Sequence, residues 1–233
     1  MKALRKWWER QSSVWRGEDF PIDRIIGKSF AAPRQLAHYR LLEAYERDGR
    51  DGFDWRQSDY VRRARANASD VARSFDALPD GLEVQPSWWV MPWAAYPLKK
   101  GTADPELVER KALEKMAEFF DLYESIKAQG YLAPRGGAIK GYILQHPSWG
   151  AVFNQIDGHH RMAILTFLRD RGQLSENSVR VLPLQTIERD RLSLEPSFRN
   201  GIRDGAFTER DAFRLFDHLF HQLGSGKEER ADD

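Results

Sequence analysis

The stretch NQIDGHHRMAIL, residues 154–165, constrains the fold most, because two periodicities meet there at one glycine. Ala151 to Ile156 is an apolar, strand-like approach, and Met162-Ala163-Ile164-Leu165 opens a helical run. Upstream, Ala138 to Leu144 reads as a second strand. The sequence HPSWG between the two strands supplies a proline and a glycine for a hairpin loop. A hairpin that turns directly into a helix at Asp157-Gly158 demands a sheet with a helix packed on it. The predicted class is therefore α+β.

The rest of the chain fits around this unit. Residues 1–80 read as mostly helical, with a basic amphipathic stretch from Ala3 to Trp15. A second helix spans Pro33 to Arg47 and stops at Asp48-Gly49. A third spans Asp59 to Phe75, with Ser58 as its N-cap. The linker LPDG breaks the pattern, and VQPSWWVMPW then reads as an edge or short strand. Asp104-Pro105 opens the longest helical pattern, which runs to Gly130 and admits a bend near Phe119-Phe120. His160 to Leu168 is a helix closed near Gly172, and Val179 to Leu182 is a strand. Thr208 starts a last amphipathic helix with Asp211 as capping partner, and GSGKEERADD reads as a solvated tail. The expected organisation is an N-terminal helical region over 1–80, a mixed domain over 81–192, and a C-terminal helix and tail over 193–233.

Composition narrows the chemistry. The absence of cysteine among 233 residues excludes disulfides, thiolate nucleophiles and cysteine-ligated zinc. A formal net charge of +1 gives no global attraction to nucleic acid, so a nucleic-acid partner is not expected. MKALRKWWERQ has no apolar run of signal-peptide length, and no segment nears the roughly 20 apolar residues of a membrane span. A cytoplasmic protein without a transmembrane segment is expected.

The corner itself concentrates ionisable groups. A turn feeding a helix leaves the first backbone N–H groups without intrahelical partners, and the helix dipole adds partial positive charge. Gly158 permits close approach, Arg161 adds a planar fork suited to phosphate oxygens, and His159 and His160 add donors. Together these describe an anion site, most naturally for phosphate. Asp157 does not fit simple anion binding; it orients a histidine, holds a metal ion or caps the helix. The structural alternative is an Asp-Gly cap with locally packed histidines. Zinc is a further alternative, but adjacent histidines diverge by about 100° on a helix. His38 and His146 are further candidates with nothing to fix their position, and His218 and His221 sit i, i+3 on the last helix without an HExxH-like partner. Lys99, Lys100 and Arg135 are additional anion-contact candidates. Eight tryptophans, with Trp88, Trp89 and Trp93 clustered, serve either packing or base stacking.

These residues resemble the ParB/sulfiredoxin-like superfamily. Ser125-Ile126-Lys127-Ala128-Gln129-Gly130, followed by Pro134, looks like the family segment in which a helix ends before two strands. Gly158-His159-His160-Arg161 matches the glycine-and-basic corner that follows, and the strand Val179 to Leu182 comes next in family order. The resemblance covers about residues 84–190. It implies nucleotide binding, with ATP, ADP or CTP phosphates on Gly158, His159, His160 and Arg161. Asp157 varies across the superfamily, so its role is read from the residues themselves: Asp157 and His159 are the catalytic candidates, and Asp157 is the candidate ligand for Mg2+. Sulfiredoxin chemistry is excluded, since His159 stands where that family has its cysteine. The chain after Asp190 shows one clear helix instead of a helix-turn-helix module, so chromosome partitioning is not expected. The glutamate of the related free-serine kinases has no counterpart in Ala94 to Lys100. Three functions follow as expectations: a nucleotide-binding protein transferring phosphate to a small molecule, a non-catalytic nucleotide-dependent switch or adaptor, and a ParB-like nuclease or DNA-binding protein.

Overall fold

A computed structural model of the chain describes residues 17–27, 32–52, 54, 58, 61, 88–89, 96–97, 105–131 and 138–224. In chain order the elements are β1 (Glu18–Pro21), β2 (Ile25–Ile26), α1 (Ala37–Gly52), β3 (Trp88–Trp89) and β4 (Tyr96–Pro97). Then come α2 (Pro105–Gln129), β5 (Ile139–His146), β6 (Gly150–Asp157), α3 (His159–Asp170), β7 (Ser178–Glu188), α4 (Pro196–Arg203) and α5 (Glu209–Gly224). The protein is mixed α+β. Five strands form one mixed sheet in the order β1-β7-β5-β6-β2, and β3 and β4 form a separate two-stranded ladder.

Side-chain alternation along the strands creates two cores. Ile143 and Phe153 enter one, while their neighbours Leu144 and Val152 enter the other. That is the period of two expected of strands buried on both faces. The first core takes Leu42 from α1, Met116, Phe119 and Tyr123 from α2, and Leu165 and Leu168 from α3. The second takes Phe198 from α4 and Leu215, Phe216, Leu219 and Phe220 from α5. On that second face Arg189 donates from Nε and Nη2 to the two Asp217 carboxylate oxygens, at 2.6 and 2.8 Å, tying the turn after β7 to α5.

Local signals set several elements as expected. Pro105 is the first residue of α2, and Gly130 ends it at φ 75°. Ser58 Oγ accepts from the Val61 N–H at 3.2 Å, the expected cap; the rest of the Asp59–Phe75 expectation lies outside the described residues. Thr208 Oγ1 accepts from the Asp211 N–H at 3.1 Å and donates to its carboxylate at 2.7 Å.

Other elements differ from the sequence reading. Residues 1–80 are not purely helical: β1 runs antiparallel to β7, with Phe20 opposite Val179, and β2 runs parallel to β6, with Ile25 opposite Phe153. The sheet therefore draws its edges from before residue 80. The bend at Phe119-Phe120 is absent; α2 is one helix of 25 residues. Both rings are buried because different helices cover them. Phe120 stacks on Tyr45 of α1 at 4.3 Å, and Phe119 meets His160 of α3 at 5.2 Å. Among the described residues beyond 193 there are two helices, α4 and α5, instead of one. Strand β7 continues well past Leu182, because Pro183 falls at a register shift against β5, where a missing N–H is tolerated.

Candidate functional site

The corner lies where β6 ends beside the start of β5. Gly158 takes φ 88° and ψ 24°, a left-handed conformation that favours glycine, and no side chain caps α3. A Cβ at Gly158 would stand 3.0 Å from Ile139 Cα, so the close approach to β5 also requires glycine. The intrahelical ladder begins with Met162 N–H donating to Gly158 O at 3.1 Å. The amides of the turn before it point toward the open end of the helix, where the dipole is positive.

Asp157 is 65% exposed, and its two oxygens have different partners. Oδ1 accepts from the Gly158 N–H at 2.8 Å, and Oδ2 lies 3.7 Å from Lys140 Nζ. The carboxylate thus braces the turn while keeping one edge toward solvent. Beneath it, Gln155 is fully buried. Its Nε2 donates to Asp157 O at 3.2 Å, and its Oε1 has no hydrogen-bond partner among the described residues.

The structure divides the four phosphate candidates. Gly158 and Arg161 belong to the first turn of α3 and its approach. Arg161 is half-buried, with its Nε enclosed and without a hydrogen-bond partner among the described residues. A buried cationic donor without an acceptor is costly, so this atom marks a place where an anion would be favoured. His159 is half-buried at the helix start. His160 instead packs between helices, its ring 4.6 Å from His38 and 5.2 Å from Phe119. Burial holds the His160 imidazole below its ordinary 6.5, and the charges of Lys115 and Arg161 act the same way against Glu118.

This predicts a pH dependence. The unfolded chain binds a proton at His160 before the folded chain does, so the contribution is complete above pH 6.5 and is lost as pH falls below that value through the lower folded pKa. Burial also lowers His146, giving the same sign. His160→Phe should therefore flatten part of the fall in urea midpoint between neutral and mildly acidic buffer. An unchanged pH profile in that variant would show that His160 titrates normally.

Lys99, Lys100 and Arg135 lie outside the described residues. The histidines do not assemble a metal site: no group of three or more His, Asp or Glu among the described residues is placed to hold an ion. His38 joins His160, whereas His146 and His221 lie against Trp149 at the hairpin tip, at 3.9 and 4.5 Å. Among the described residues no helix is long and apolar enough to cross a membrane.

Sequence reasoning did not single out Gln155, Lys140 or Tyr131. Gln155 was within reach, since it stands two residues before Asp157 on a strand and so shares its face. Tyr131 was not. Burial raises its hydroxyl, while Arg161 and the Ile139 backbone pull it back, which places it beside the corner. Comparison of the chain with protein-family models, curated proteins and solved structures finds no match.

Proposed function

We propose that the β6–α3 corner binds the phosphates of a nucleotide, within a ParB/sulfiredoxin-like architecture. The observation that carries this reading is the uncapped, glycine-led start of α3 with the Arg161 Nε, without a partner among the described residues, one turn in. Gly158 lets the phosphate approach the backbone, the first-turn amides donate to it, and Arg161 supplies the charged fork. Asp157 presents one exposed carboxylate edge beside that position. This suits Mg2+, which takes few protein carboxylates and fills its shell with water and phosphate oxygens. In the catalytic form of the proposal, ATP, ADP or CTP binds here, and phosphate passes to a small molecule. Positioning and charge neutralisation then supply most of the catalysis. Asp157 is the base of that reading, and His159 lies at the same helix start.

One observation favours the non-catalytic switch as a second reading. Asp157 is already engaged by the Gly158 N–H and faces Lys140, and the His160 ring links α3 to α1 and α2. A phosphate that shifted α3 would reach both helices without any chemistry.

Calorimetry with ATP, ADP, CTP and GTP, with and without Mg2+, tests the proposal. A tight complex with at least one nucleotide is expected. Arg161→Ala should weaken it by about 10- to 100-fold, the value of a charge-assisted hydrogen bond. A folded wild-type chain that binds none of the four would overturn the reading. Binding without turnover, whatever acceptor is offered, would favour the switch.

A further inference from the structure

A cavity of about 360 Å3 reaches α3 at Leu165, one helical turn on from Arg161. Half of its lining is apolar: Ile22, Leu165, Leu174 and Val179. Its polar groups are Tyr131, Glu176, Ser178 and Arg180. Arg180 is held by Asp19 at 3.1 Å, and Glu176 Oε2 accepts from the Ser175 hydroxyl at 3.3 Å, which leaves Glu176 Oε1 and the Ser178 hydroxyl toward the cavity.

Two features connect this cavity to the corner. Leu165 follows Arg161 by four residues on α3, so the two share one helix face. Tyr131 lines the cavity, while its hydroxyl lies by the Ile139 backbone and feels the Arg161 charge. Ile139 is also the residue against which Gly158 packs. The cavity therefore connects toward the corner through Tyr131 and through Leu165, one helical turn on from Arg161 along α3.

We propose that the cavity takes the nucleoside of the nucleotide whose phosphates sit at the corner; this rests on the phosphate reading above. The apolar half of the lining suits the faces of a base, and a volume in the small-molecule range suits base plus sugar. Glu176 and Ser178 offer acceptors to the sugar hydroxyls. Phosphate charge alone thus gives only part of the affinity, and the remainder comes from the cavity.

The test separates the two parts. Inorganic triphosphate reads the corner alone, while ATP, CTP, GTP and UTP read corner and cavity together. Calorimetry with all five on wild type should give at least one nucleotide that binds about tenfold or more tighter than triphosphate. Ser178→Trp, an exposed position whose larger ring would fill the cavity, should erase that advantage and leave triphosphate affinity unchanged. Glu176→Ala should reduce it, again without touching triphosphate. Equal binding of triphosphate and every nucleotide by wild type overturns the inference and leaves the corner reading standing. A nucleotide advantage that survives Ser178→Trp, in a variant still binding triphosphate, overturns it too. If neither triphosphate nor any nucleotide binds, the corner reading itself fails and takes this inference with it.

Discussion

Gly141→Ala is expected to cost more than about 3 kcal/mol and to leave little folded chain. A Cβ there would stand 2.1 Å from Asn154 O and 2.8 Å from its carbonyl carbon. Both are backbone atoms of the neighbouring strand, so no side-chain rotation relieves the clash. Gly141 also sits where β5 slips register against β6 on one side and against β7 on the other. Forcing the strands apart there would break the ladder at the centre of the sheet, between β7 and β6. Urea unfolding followed by circular dichroism reads the effect. Gly172→Ala is the control: its φ of 67° carries a backbone penalty, but a Cβ there meets nothing within 4 Å. It should cost only about 1 kcal/mol. Equal midpoints for the two variants would show that crowding between β5 and β6 does not limit the sheet.

Gly158→Ala should damage stability and binding together. The left-handed conformation costs a residue with a Cβ roughly 1–2 kcal/mol. Contact at 3.0 Å with Ile139 Cα and 3.4 Å with Ala138 O adds crowding against backbone. The relief available is a shift of the α3 start away from β5. Arg161 would remain, yet the amides and the guanidinium would no longer converge on one phosphate. Nucleotide affinity should fall about as far as in Arg161→Ala, by 10-fold or more, about 1.4 kcal/mol. Calorimetry at a urea concentration of zero, with the midpoint measured separately, distinguishes the two losses. A destabilised variant with wild-type affinity would place the ligand elsewhere than the first turn of α3.

The legible features were those decided within a few residues. Val152 and Phe153 alternate between cores because a strand presents successive side chains to opposite faces, so the β5–β6 hairpin could be read directly. The same locality made the Thr208–Asp211 cap, the Pro105 start and the left-handed Gly158 corner readable. Residue types at the corner pointed to an anion for an equally local reason: amides, dipole and Arg161 lie within one helical turn.

What the chain could not announce depends on partners far away in sequence. Strand β2 has two residues, too few for any periodicity, and exists because β6 pairs with it; Asn154 Nδ2 donates to Gly27 O across 127 positions. His160 carries the same ring as His159, but His38 and Phe119 draw it into the helix layer. Gln155 and Tyr131 gain their meaning only from being enclosed beside Asp157 and Arg161. Sequence by itself determined that a glycine turns a strand into a positively polarised helix start, because backbone geometry and dipole are local. Which side chains face that start was decided only by tertiary packing, because burial and electrostatic reach depend on distance in space.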